Sequence, residues 1–187
     1  FPVSAERDAG VRTSAAVEAA LAVPRVTVDF IPDGVHVHPE AIRMALAAKG
    51  PNGVAIITDA NIGAGLPPGR YSSPWGFDVR TRAGDAARID QPGDPRHGAV
   101  AGSALTMYQG MTNGLKWLPE KGDQIWSLGS RTPADVIGLE SKGRLCVGAD
   151  ADLVLWDRVD DRLTVERTWL AGACVYDAQA HAVEVGR

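Results

Sequence analysis

The chain has 187 residues, 45% hydrophobic and 22% charged, the proportions of a globular protein that can bury a core. Its formal net charge of −4 argues against nucleic acid or an anionic membrane as the main partner. No apolar run nears the ~20 residues that span a bilayer. The first residues, Phe1-Pro2-Val3-Ser4-Ala5-Glu6-Arg7, lack an initiator Met, a basic region and an apolar core. They read as a cut end and not as a signal peptide. Cys146 and Cys174 are too distant for a CxxC motif and too few for a disulfide framework. Their apolar neighbours predict buried thiols in a reducing cytoplasm.

In chain order, residues 1–12 read as a loop whose notable charges are Arg7 and Asp8. Thr13 or Ser14 can cap a helix over 15–21 that Pro24 stops. The β-branched and aromatic run at 26–31 predicts a strand. It closes on a polar cluster, Asp33-Gly34-Val35-His36-Val37-His38-Pro39. Pro39 opens a helix with Ile42, Ala45, Leu46 and Lys49 at helical spacing, and Gly50-Pro51 ends it. The next strand, 54–58, is apolar enough for burial on both faces. Helix, strand, helix, strand predicts parallel neighbours joined by a crossover.

That second strand ends on Thr58-Asp59-Ala60 and a glycine-rich loop, Asn61-Ile62-Gly63-Ala64-Gly65. A carboxylate there either caps a turn or stands where α/β enzymes place their chemistry. Two consecutive strands that deliver Asp and His to one edge favour the second reading.

Beyond residue 65 the texture changes. Pro67-Pro68-Gly69 and Ser72-Ser73-Pro74 read as turns, and 77–81 with 87–90 as a half-exposed antiparallel hairpin closed by Ala83-Gly84-Asp85. A helix is predicted over 104–118, with Met107, Met111 and Trp117 in the core. Short helices follow near 123–128 and 133–139, the second capped by Thr132. The tail is again β, over 145–147, 151–156, 163–169 and 174–176. A lone hairpin is marginal, so the β pieces before 100 and after 143 are expected to share a sheet core.

Taken together, the motifs resemble the amidohydrolase superfamily and, within it, the N-acetylglucosamine-6-phosphate deacetylase family. The residues that carry the resemblance are Asp33-Gly34-Val35-His36-Val37, Thr58-Asp59-Ala60, Gly63-Ala64-Gly65-Leu66 and Ala101-Gly102-Ser103-Ala104-Leu105-Thr106-Met107. Thr132-Pro133-Ala134 and Gly148-Ala149-Asp150-Ala151-Asp152-Leu153-Val154 complete the set. The last of these is superfamily-wide and weakly specific, whereas the first, second and fourth, as a set, are much sharper for the deacetylases.

The resemblance implies an α/β fold: the C-terminal part of a (β/α)8 TIM-like metal-dependent hydrolase barrel plus a small β-sandwich domain. It divides the chain into last barrel strands and helices (1–70), a sandwich hairpin (71–100), terminal barrel helices (101–142) and C-terminal sandwich strands (143–187). It makes Asp59 the acid/base residue, which takes a proton from metal-bound water and later gives one to the departing amine. It places His36 on the phosphate of an amino-sugar phosphate, and Arg7 on the same phosphate from the neighbouring subunit of a homodimer. The cofactor implied is a divalent metal, zinc or iron, whose glutamate and histidine ligands would precede Phe1. Asp59 would at most lie beside the ion or bind it weakly. His38 reads as a solvent-facing helix cap and not a ligand, and His97 and His181 are given no role.

The expected function is thus deacetylation of N-acetylglucosamine 6-phosphate by a cytoplasmic enzyme of which this chain is the C-terminal half, inactive by itself. Two alternatives stand beside it. One is an amidohydrolase acting on a cyclic amide or an N-acyl amino acid. The other is a non-catalytic truncated module.

Overall fold

The computed structural model describes residues 16–159 and 162–180, and the backbone of two short strands, β1 (Arg7–Asp8) and β2 (Val11–Arg12). These two pair antiparallel where the sequence predicts a loop, and the Arg7 side chain lies outside the described residues. The chain divides into two compact units, Phe1–Gly129 and Ser130–Arg187. The architecture is mixed α/β, and no helix among the described residues is long and apolar enough to cross a membrane.

The first unit is built on a parallel strand pair. After α1 (Ala16–Ala22) come β3 (Val28–Phe30), α2 (Pro39–Lys49) and β4 (Val54–Ile56). Val28 pairs with Val54 and Phe30 with Ile56. The predicted parallel crossover is therefore present. Both strands are shorter than their apolar runs because the ladder extends only as far as both partners do. Ile57 still donates its N–H to the Phe30 carbonyl at 2.9 Å. Pro39 needs no N–H bond in the first turn of α2, and Gly50, at φ 67, ends the helix. Ile42, Ala45 and Leu46 form its buried face. Lys49, in the last turn, donates to the carbonyls of Ala20 and Val23 at the end of α1, 3.1 and 2.5 Å away.

Three further strands, β5 (Gly69–Ser72), β6 (Asp78–Thr81) and β7 (Arg88–Ile89), form an antiparallel meander. The first is a correction: turn signals at Pro67-Pro68 and Ser73-Pro74 bracket a strand too short to show alternation. The helix expected from residue 104 begins three residues later, as α3 (Met107–Trp117). Thr106 caps it by accepting from Gln109 N at 3.2 Å, while Gln109 Oε1 accepts from Thr106 N at 3.0 Å. Starting there turns Met107 to solvent and leaves Trp117 half-buried, so of the three residues predicted as core only Met111 is buried. With α4 (Gln124–Leu128), the unit closes its core over β4 through Leu115, Leu118, Ile125 and Leu128. Each such side chain contributes roughly 1.5–3 kcal/mol by leaving water.

In the second unit, α5 (Arg131–Val136) precedes β8 (Leu153–Val159), β9 (Arg162–Leu170) and β10 (Ala173–Asp177), an antiparallel sheet with β9 central. Thr132 lies inside α5 and is buried; it does not cap it. The strand predicted at 145–147 does not form. Gly143 and Gly148 flank it in left-handed turns, and three apolar residues between turns find no ladder. Both cysteines are exposed, contrary to expectation, Cys146 in that loop and Cys174 on the edge strand β10. The superfamily-wide motif here is turn hardware. Asp152 Oδ1 accepts from Ala171 N at 2.7 Å, and Lys142 bridges Asp152 and Asp150, the latter at 3.0 Å.

Candidate active site at the ends of two parallel strands

Because β3 and β4 are parallel with Phe30 opposite Ile56, the residues three positions past each pair emerge at the same end of the sheet. Those residues are Asp33 and Asp59. Asp33 folds its own loop. Its Oδ1 accepts from the N–H groups of Val35 and His36, both at 2.9 Å, the pattern by which Asp nucleates a turn. Its Oδ2 lies 2.7 Å from His36 Nδ1. The side chains of His36 and Asp33 are 19% and 10% exposed. Burial pushes the Asp33 carboxyl up, but the N–H groups of His36 and Val35 and the imidazole together outweigh it and hold it below the ordinary 3.8. Asp33 is therefore a carboxylate at neutral pH. His38 caps α2 by position alone, its side chain 81% exposed and paired with Glu40.

Asp59 has φ 47, a left-handed conformation that Asp tolerates better than most residues. The turn is held from a distance by the Ala101-Gly102-Ser103 segment. Ser103 N donates to the Asp59 carbonyl and Asn61 N to the Ser103 carbonyl, each at 2.8 Å. The Ser103 hydroxyl donates to the Thr58 carbonyl and accepts from Leu105 N at 3.0 Å. Ser103 is fully buried. The Asp59 side chain is exposed and makes no hydrogen bond among the described residues, so it does not cap the turn in which it stands. The glycine-rich loop then docks onto the meander. A Cβ at Gly63 would lie 2.6 Å from Thr81 Cγ2 and 2.8 Å from Tyr71 Cδ2, so only glycine allows that approach.

A cavity of about 450 Å³ opens beside this end of the sheet, with Asp33, Thr81, Arg82, Leu105, Gln109 and Asn113 on its walls. Asp33 is its link to the predicted site; His36 and Asp59 do not line it. Sequence reasoning missed Arg82, Gln109 and Asn113. Gln109 and Asn113 are one helical turn apart on α3, a spacing that was readable, whereas nothing local marks Arg82. Among the described residues no group of three His, Cys, Asp or Glu side chains is placed to hold a metal ion. What the arrangement offers is an unencumbered carboxylate and a carboxylate–imidazole pair at the same end of the sheet, groups suited to proton transfer and to anion contact on a polar substrate.

The Amidohydrolase family model matches residues 16–181. The N-acetylglucosamine-6-phosphate deacetylase of Vibrio furnissii is 35% identical over 173 residues, covering 92% of this chain and 39% of that protein. Among solved structures, N-acetylglucosamine-6-phosphate deacetylase from Thermotoga maritima aligns with a TM-score of 0.73 at 28% identity, over 87% of this chain and 42% of that one. A mutant of the Mycobacterium smegmatis deacetylase in complex with N-acetyl-D-glucosamine-6-phosphate aligns at 0.70 and 32% identity, over 84% of this chain and 39% of that one. The chain spans about two fifths of the length of these relatives.

Proposed function

Since the chain belongs to the amidohydrolase family, we propose that it is the C-terminal part of an enzyme that hydrolyses the acetamide of N-acetylglucosamine 6-phosphate. The observation that carries this reading is the delivery of a free Asp59 carboxylate and the Asp33–His36 pair to one end of a parallel sheet. The name and bound ligand of the Mycobacterium smegmatis relative support the substrate.

On this reading β3 and β4 are the last strands of a barrel, and the sheets of the meander and of β8–β10 belong to a β-sandwich. Asp59 takes a proton from the water that attacks the acetamide carbon. As the C–N bond breaks it returns a proton to the nitrogen, releasing acetate and the amine. His36 contacts the phosphate, joined by Arg7 from the second subunit of a cytoplasmic homodimer. A divalent metal, zinc or iron on this reading, would lower the pKa of the attacking water. The described residues do not form its site, and we assign its ligands to polypeptide beyond these residues.

The test is acetate release by the full-length enzyme from N-acetylglucosamine 6-phosphate and from N-acetylglucosamine. Charge-assisted bonds to a phosphate contribute roughly 1.5–3 kcal/mol each, so the phosphorylated sugar should lead by at least ~10-fold in kcat/KM. Equal rates would overturn the phosphate reading in favour of a cyclic amide or an N-acyl amino acid.

A further inference from the structure

Asp33 has a use beyond shaping its loop. Its Oδ1 is occupied by two backbone N–H groups, and its Oδ2 lies 2.7 Å from His36 Nδ1. An ionised carboxylate only accepts hydrogen bonds, so the Nδ1 that faces it must carry the hydrogen. This leaves Nε2 as the one ring nitrogen that can meet another group. The carboxylate itself is 10% exposed and pinned at both oxygens, so the imidazole plane is set by a rigid partner and not by solvent. A phosphate oxygen accepts hydrogen bonds. An imidazole that donates from Nδ1 to Asp33 and from Nε2 to a phosphate is the doubly protonated ring.

We propose that Asp33 is a positioning residue for the substrate's anionic group: it fixes the ring plane of His36 and pairs with its doubly protonated form, so that Nε2 donates to the phosphate. The inference rests on the reading that His36 meets a phosphate. Asp33 itself touches no reacting atom. Its effect belongs in the binding of the phosphorylated sugar and not in the rate of amide cleavage once that sugar is bound. The same carboxylate, though not His36, lines the neighbouring cavity.

Asp33→Asn in the full-length enzyme is the test. The amide oxygen can still accept from Val35 and His36, but its NH2 then faces Nδ1 and turns that nitrogen into an acceptor. Flipping the amide would set NH2 against two N–H donors. The neutral ring that remains carries its hydrogen on Nε2 and still donates, so what is lost is the charge on that bond: the expected result is a KM for N-acetylglucosamine 6-phosphate raised by about 5–10-fold, with kcat within about threefold. kcat/KM for N-acetylglucosamine should stay within about twofold, and Asp33→Asn should add nothing further in a His36→Ala background. A parent enzyme that does not distinguish the two sugars would overturn the phosphate reading. A parent that distinguishes them and an Asp33→Asn enzyme that does so equally well would overturn the positioning role alone. Equal losses on both sugars with a lowered Tm would assign Asp33 to loop structure, and this too would overturn it.

Discussion

Gly102 lies directly against the backbone of Asp59: a Cβ at position 102 would meet the Asp59 carbonyl oxygen at 2.7 Å and its Oδ2 at 3.4 Å. Gly102 also has φ +71, so a side chain there is both strained and obstructed. Gly102→Ala should cost on the order of 1–3 kcal/mol from backbone strain, and more from displacing the turn. Denaturant unfolding with activity measured in parallel checks it. Parent-like stability with parent-like turnover would show that the contact relaxes without consequence.

Ser103→Ala removes the hydroxyl that joins the Thr58 carbonyl to Leu105 N in a fully buried position. Leaving both partners unsatisfied should cost roughly 1–3 kcal/mol. The backbone bond from Ser103 N to Asp59 is unaffected by the change, so the loss of stability should exceed that of activity. A variant within a few tenths of a kcal/mol of the parent would mean that water replaces the hydroxyl.

Asp59→Asn keeps the shape of the side chain and, given the absence of a capping hydrogen bond, should leave stability unchanged. As general base it cannot be replaced by an amide, so turnover of the full-length enzyme should fall about 10²–10⁴-fold. Turnover within a few fold of the parent would remove Asp59 from the chemistry.

The loop that follows β7 carries an acid-sensitive tie. The Arg96 side chain, and then its backbone N–H, hold the Asp94 carboxyl down from 3.8 to about 2, with Arg96 itself 5.3 Å from the Phe77 ring centroid. The folded value lies below the unfolded one. The stabilisation is therefore complete above the ordinary 3.8 and is lost as pH falls towards about 2. Carboxyl chemical shifts followed from pH 7 to 1.5 should show Asp94 titrating below its ordinary value. A midpoint at 3.8 or above would break the assignment, as would a change in the Arg96 tie between pH 5 and 8.

What was legible in the sequence was what neighbours decide. Ile42, Ala45 and Leu46 between Pro39 and Gly50 define α2, and the apolar runs at 26–31 and 54–58 define the parallel pair. Thr106 with Gln109 three residues on was a readable start for α3, but Leu105 keeps helical spacing and drew the expected boundary upstream. Burial was the harder property. Cys146 and Cys174 have apolar neighbours and yet are exposed, because burial depends on what packs against a segment and not on its own composition. Asp33 and His36 were visible only as members of one polar cluster; their pairing was not read, although an Asx turn acts within three residues. The support of Asp59 was not visible, because the Ala-Gly-Ser motif states no distance in space, and the Arg7 side chain falls outside the described residues.

The bond between the Ser103 hydroxyl and the Thr58 carbonyl joins positions 45 apart, and this sets an order on how the chain is made. At roughly 5–20 residues per second of synthesis, β4 leaves the ribosome several seconds before the segment that holds its end. Closing so long a loop is entropically cheap to extend but slow to find, which delays the turn further. Through that interval a nascent chain has the strand without the bend at residue 59. A message that stops anywhere between the codons for residues 60 and 102 of this chain would yield that unfinished end permanently.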